Sequence, residues 1–353
     1  MSGSAVRRRL GRRFGFAAAG FAVTALAGAV FLRIVSAPPL EAYGLIVAGA
    51  FGSPERVTFV LAAWAPVLLA AAGLLVTFAA GLWNIGIEGQ VVFGAIFATG
   101  ALRALEHSGP GWAALTAAGL AAAAGGTVWA LLAGALRTYG GVSEIFGGLG
   151  LNFIAGSLTV YLVLGPWARP GIASTSGTVP FGAGLWLPAL RVPPVAVPGE
   201  VLLALAAIGA VSAALRGTCF GLYLAAIGRS LPAAHLRGIP TTREILRAFA
   251  LCGALAGLGG FVLVAGAYSR HQLFPLISGG DGYLAILVVL LAGQSAAACA
   301  FISAAFAAIS MGSLQLPLAM QLDSSMGGVI QGLLVLSVIL LRGLQSRFMR
   351  GEA

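Results

Sequence analysis

The chain contains no lysine, and only ten of its 353 residues are acidic. Charged residues make up 8 % of the sequence, against about 25 % in soluble domains. Without lysine there is no G-x-x-x-x-G-K-[ST] loop, so the chain carries no Walker-type nucleotide site. H-E-x-x-H and G-x-S-x-G are also missing, and the three histidines (His107, His235 and His271) are scattered. Neither an Arg-rich sensor helix nor a K⁺-filter sequence is present. The three cysteines are Cys219, Cys252 and Cys299. They form no C-x-x-C and lie in or beside apolar runs, so they read as small packing residues, without a disulfide framework or a metal site.

What is present is apolar. Hydrophobic residues make up 59 % of the chain, and the mean hydropathy is +0.99. A soluble chain has nowhere to put so much apolar surface. The expected fold is therefore all-α: one transmembrane helical bundle over 1–353, with no separate soluble domain. Apolar runs long enough to span a bilayer lie near 14–35, 58–80, 86–105, 112–136, 145–165, 199–216 and 246–268. Three more are expected near 281–299, 300–320 and 326–342, which makes about ten. Five arginines precede the first run, and no small-x-small cleavage site follows it, so it reads as a retained span. The 52 glycines suit helices that pack closely without a hydrophobic force between them.

The net charge is +10. The arginines sit at the ends of apolar runs and form no stripe with interleaved aromatics, which argues against nucleic acid. Ten spans put both termini on one side, together with the loop 217–245. Only Arg33, Arg56, Arg103, Arg169, Arg191 and Arg270 fall on the other side. The Arg-rich side is the cytoplasmic one, so both termini are expected there. The Pro-, Gly-, Ser- and Thr-rich segment 166–198 then lies outside, as an ordered loop or short interfacial helix able to dock an external partner.

Few residues can carry chemistry. Glu88 lies in N-I-G-I-E-G-Q between two apolar runs, where glycines suit a broken helix. Asn84, Glu88 and Gln90 could line a solute path, or Glu88 could cap a helix in a turn; both readings stay open. Asn152 either bonds a neighbouring helix or faces the path, and Glu144 favours a helix N-terminus. A second Gly-rich acidic stretch, Ser278–Tyr283, is expected on the opposite side from 81–90, as an inverted repeat of spans 2–5 and 7–10 would place it. In the loop 217–245, Leu231, Ala234, His235 and Ile239 form one edge of a short helix, with Pro232 in its first turn and Gly238 at its end. Its partner is either lipid headgroups or a groove on another protein.

Three blocks make the chain recognisable. It resembles the permease subunits of ABC importers in the branched-chain amino acid, ribose and nucleoside group. The likeness is closest to the nucleoside and simple-sugar permeases paired with basic-membrane-lipoprotein-type binding proteins. GLWNIGIEGQVVFGA (81–95) looks like the N-I-G-x-E-G-Q signature of that subgroup. GVSEIFGGLGLNFIAGSLTVYL (141–162) is similar to its N-E-to-L-N-x-I-A span, with Ser143 where Asn is usual. AAIGRSLPAAHLRGI (225–239), followed by GALAGLGG (253–260), resembles its cytoplasmic loop and next helix. Ala226 and Ser230 stand there in place of a basic residue and an Asn.

The resemblance covers about 58–342 and implies a bacterial inner-membrane importer. Its parts would be two permeases (identical or related), a cytoplasmic ABC ATPase that binds ATP and Mg, and an external solute-binding lipoprotein. Gly228, Arg229, Ala233, Ala234, Arg237 and Gly238 would form the segment that seats on the ATPase, and nucleosides would be the cargo. The chain itself would then hold no cofactor and catalyse no reaction. Simple sugars or branched-chain amino acids are alternative cargoes, and a secondary transporter with Glu88 as an ion or proton site is the alternative mechanism.

Overall fold

The computed structural model describes residues 22–23, 25–171, 176–323, 325–333, 335–337 and 340. It divides the chain into two units, residues 1–57 with 305–353 and residues 58–304.

In the first unit, α1 (Ala25–Ile34) and α2 (Pro39–Phe51) meet at a bend of 113°. The bend falls at Ser36, which adopts a left-handed φ of 60°, and Pro38–Pro39 then start α2. Tyr43 Oη ties the two helices together by donating to the Ala25 carbonyl at 2.8 Å. The first expected span, 14–35, is described only from residue 22. Leu32, Ala42, Ile46, Leu316 and Ile330 form the core of this unit.

The second unit holds most of the chain. Its helices are α3 (Pro54–Ala79), α4 (Ile87–Leu105), α5 (Gly111–Thr138), α6 (Glu144–Leu164), α7 (Gly199–Gly217), α8 (Cys219–Arg229), α9 (Leu231–Leu236), α10 (Thr241–Ala265), α11 (Asp281–Ala292) and α12 (Ala296–Ser313). Helix α3 begins, and α12 ends, in the first unit; α13 (Gln315–Met320) follows α12. Among the described residues, six helices are long and apolar enough to cross a membrane, or seven if the α1–α2 pair counts as one. The chain is thus an all-α, polytopic bundle.

The later span boundaries differ from the sequence reading. The run 281–299 is cut by a left-handed turn at Gly293 and Gln294, which leaves α11 only 12 residues long. The next helix starts at Ala296 rather than 300. The helix beginning at Met326 covers part of the expected 326–342 span, and 341–342 lie outside the described residues. Helix α10 starts at Thr241 rather than 246; hydropathy missed its first two turns because they carry Arg243, Glu244 and Arg247. The loop 217–245 is largely helical. The segment 166–198 contains a feature hydropathy did not suggest, an antiparallel hairpin of β1 (Ala189–Val192) and β2 (Val195–Pro198).

Helices α3 and α10 are the central ones, each buried over 72 % of its most apolar stretch, against 22 % for α6 and 28 % for α7. Glycine sets the spacing around α10. A Cβ added at Gly257 would lie 2.1 Å from the Ala122 carbonyl oxygen of α5. One at Gly260 would lie 2.1 Å from the Val91 carbonyl oxygen of α4. Helix backbones here touch without side chains between them, which compensates for the missing hydrophobic force between helices in lipid.

Gly257→Ala should therefore lower the thermal unfolding midpoint in detergent by forcing α5 and α10 apart, at a cost of about 1–3 kcal/mol. Gly156→Ala, which meets nothing within 4 Å, should leave the midpoint unchanged or raise it slightly, since Ala is the better helix former.

Candidate functional site

Between α3 and α4 the chain leaves the helix for seven residues, Ala80 to Gly86. Gly81 permits the turn, with φ +72°. Asn84, in the middle of the break, donates to Cys252 Sγ of α10 at 3.1 Å. Cys252 lies eleven residues into α10, about 16 Å from its start at 1.5 Å per residue. The break therefore climbs to mid-depth before α4 begins, and Glu88 does not sit in a turn at the end of the bundle.

Polar side chains close the break. Asn84 and Gln90 pair reciprocally, Asn84 Nδ2 donating to Gln90 Oε1 at 3.1 Å and Gln90 Nε2 to Asn84 Oδ1 at 2.9 Å. Both are almost wholly buried. Asn152 of α6 accepts from the Gly89 amide at 2.8 Å and donates to the Ile85 carbonyl at 2.9 Å and to Tyr283 Oη at 3.1 Å. It thus serves one donor and one acceptor that the broken helix leaves over. Gly86 and Gly148 let α6 come this close, a Cβ at Gly148 falling 2.5 Å from the Gly86 amide nitrogen.

Glu88 reaches the other Gly-rich stretch. Its carboxylate accepts from Ser278 Oγ and, at 2.9 Å, from the Gly282 amide. Gly282 lies in the first turn of α11, so the carboxylate sits between the N-termini of α4 and α11, where two helix dipoles favour negative charge. From this point α11 runs toward the α3 end of the break: Gln294, just beyond α11, donates to the Phe78 carbonyl at 3.4 Å. The stretch 278–283, expected on the opposite side from 81–90, thus reaches the Glu88 end of that stretch.

The structure therefore brings Asn84, Glu88, Gln90 and Asn152 into one network. Ser278, Tyr283 and Cys252 belong to it too, and sequence reasoning did not single them out as site residues. Tyr283 leaves its ring 40 % exposed. Trp129 also escaped notice. It stacks on Phe93 with ring centroids 4.0 Å apart, and its buried indole Nε1 has no hydrogen-bond partner among the described residues. Only the acidic, Gly-rich character of 278–283 signalled any of this in the sequence.

The segment 217–239 lies where α3 ends. Thr218 caps α8 by accepting from the Gly221 amide at 3.4 Å, and Ser230 caps α9 by accepting from the Ala233 amide at 3.4 Å. Pro232 stands in the first turn of α9, and Gly238, with φ +79°, ends it. Ser230 replaces an expected Asn but does the same N-capping; Ser143 likewise caps α6 through the Ile145 amide. Ala234 is buried, whereas Arg229, Ala233, Arg237 and Gly238 are exposed. Leu236, absent from the predicted edge, is 87 % exposed at the tip of α9. Gly228 sits on the break itself: a Cβ there would lie 2.5 Å from the Ala79 carbonyl oxygen and 3.2 Å from the Gly81 nitrogen.

Residues 56–339 match the family described as branched-chain amino acid transport system, permease component. The chain belongs to this family. It is 32 % identical over 320 residues to the glucose ABC transporter permease protein TsgB13 of Haloferax volcanii, covering 88 % of this chain and 83 % of that protein. It is 25 % identical to the guanosine ABC transporter permease protein NupP of Bacillus subtilis, with 88 % and 89 % covered. With the nucleoside ABC transporter permease protein NupB of Lactococcus lactis subsp. cremoris it shares 26 % identity, with 82 % and 80 % covered. The chain is thus a multi-pass membrane permease subunit of an ABC importer of the nucleoside and simple-sugar group.

The far face of this permease joins 166–198 to the loop after α10. The Thr178 amide donates to the Leu273 carbonyl at 2.7 Å and the Phe181 amide to the His271 carbonyl at 2.8 Å. Arg169 bonds Gln272 and, at 3.0 Å, the Thr178 carbonyl. The His271 ring stacks on Trp186 at 3.9 Å, and burial holds its imidazole below the usual histidine range.

Two outcomes are expected. Asn152→Leu strands the Gly89 amide and the Ile85 carbonyl, so it should cost about 2–4 kcal/mol in detergent unfolding, while the exposed Phe153→Leu should cost little. A lowered histidine pKa means that the folded face prefers the neutral ring. Stability from His271 is therefore present above about pH 6.5 and lost as pH falls through the lower folded value. The unfolding midpoint should drop on acidification, and His271→Phe, which keeps the stacking, should drop less.

Proposed function

We propose that this permease imports nucleosides, powered by ATP and Mg in a cytoplasmic ABC ATPase that seats on α8–α9. The observation that carries the reading is the contact of Gly228 with Ala79–Gly81. A segment exposed for docking, ending in Arg229, Arg237, Gly238 and the bare Leu236, rests directly on the break that holds the polar network. Movement of α9 by a partner would shift the break without any flexible link between. Both termini and α8–α9 then face the cytoplasm, and the 166–198 face meets an external solute-binding lipoprotein. A second permease, identical or related, completes the path.

In this reading Asn84, Glu88, Gln90 and Asn152 frame the path. Their own polar atoms hold the broken helices in register, and the exposed Tyr283 ring offers a stacking surface to a planar base. The relatives named for guanosine and nucleosides support this cargo. The relative named for glucose, at higher identity, supports a simple sugar as the second reading. The secondary-transporter alternative loses its ground with membership of an ABC permease family, and both Glu88 oxygens already accept hydrogen bonds from the protein.

The permease should co-purify with its ATPase, and uptake in cells lacking every ABC ATPase would overturn the proposal. Labelled guanosine and glucose in competition distinguish the two cargoes. In proteoliposomes of the assembled importer, Gly228→Ala should reduce uptake several-fold while ATP hydrolysis persists. Gly217→Ala, with nothing within 4 Å, should behave as wild type.

A further inference from the structure

Helices α5 and α10 touch through glycine and then part. A Cβ at Gly126 would lie 2.1 Å from the Gly253 carbonyl oxygen, and Thr127 Oγ1 donates to the Ala250 carbonyl at 3.2 Å. Toward the end of α5 and the start of α10, a cavity of about 570 Å³ opens between them. Leu131, Leu246 and Ala250 supply apolar lining, and His235, Arg243 and Arg247 basic lining. The two helices run in opposite directions. Leu131 lies seven residues before the end of α5 and Ala250 nine after the start of α10, so the apolar floor lies about 10–14 Å in from the helix ends.

This groove opens on the outside of the bundle. Along the adjoining face of α5, Val128, Leu132 and Leu136 are 50 %, 45 % and 41 % exposed, as suits a lipid-facing helix. Arg243 and Arg247 are exposed at the mouth, where the N-terminus of α10 adds partial positive charge. The acid near them, Glu244, is buried and accepts from Arg247 Nη1 at 2.8 Å. A cationic mouth over an apolar slot two turns deep matches one molecule class, a phosphate-bearing lipid with its chain in the slot.

We propose that the groove holds an anionic phospholipid, with its phosphate on Arg243 and Arg247 and an acyl chain along Leu131, Leu246 and Ala250. The site does not depend on the identity of the cargo, because it rests on this chain's own residues.

The full-length protein in nanodiscs of mixed phosphatidylglycerol and phosphatidylcholine, released into native mass spectrometry, tests it. Phosphatidylglycerol adducts should survive activation that strips phosphatidylcholine. Arg243→Gln should lower that preference about fivefold, the loss expected for one cation. Ala250→Trp should lower retention while leaving the arginines in place. The wild-type unfolding midpoint in detergent should rise with added phosphatidylglycerol and not with phosphatidylcholine or inorganic phosphate, a measurement independent of any variant. Equal retention of both lipids, or an unchanged preference in both variants, overturns the proposal. So does an equal shift with inorganic phosphate, which points to a plain anion site. Exclusion of phosphatidylglycerol from the assembled importer also overturns it, since the groove would then be a protein interface.

Discussion

A helix that starts at mid-depth, as α4 does after the irregular stretch 80–86, leaves backbone donors and acceptors where lipid supplies no water. Every other feature of the central site answers that constraint. Each orphan group must find a partner inside the bundle, or the break would cost several kcal/mol. Asn152 serves the Ile85 carbonyl and the Gly89 amide at once. The Asn84–Gln90 pair satisfies two amides within the break and its following turn. Glu88 spends its two oxygens on the start of α11. A carboxylate is costly in such a place unless its charge meets fixed donors, and the Ser278 hydroxyl and the Gly282 amide provide them.

The same constraint explains why glycine clusters here. Amide and carboxamide groups reach across only when backbones approach within side-chain-free distance. Gly86 and Gly148 bring α6 to the break, and a Cβ at Gly282 would lie 2.7 Å from the Glu88 Cα. Farther along, Gly257 and Gly260 hold α10 against α5 and α4. A stiff group of helices results, with the break as its irregular element, and Gly228 of the docking segment lies against it.

The caps show how a family pattern can vary without losing its physics. Ser143 and Ser230 stand where the resemblance leads one to expect Asn, and both accept from an amide in the first turn that follows. A short hydroxyl and a short carboxamide are near-equivalent N-caps, so the helix starts are kept while the residue changes.

By itself the sequence determined the all-α membrane class, the Arg-marked ends, the break near Gly81–Gly86, the short helix between Pro232 and Gly238, and the kinship with ABC permeases. These follow from composition, local turn chemistry and motif, which need no knowledge of neighbours. Only the tertiary structure decided that Glu88 meets Ser278 and Gly282, that Asn152 belongs to the break rather than to its own helix's neighbour alone, and that Gly228 rests on Ala79. It also shortened α11 and folded 189–198 into a hairpin, where hydropathy saw only apolar run or loop. Hydropathy counts residues along one chain direction. It cannot register a carboxylate 190 residues from the hydroxyl that binds it, because that bond exists only after the helices have packed.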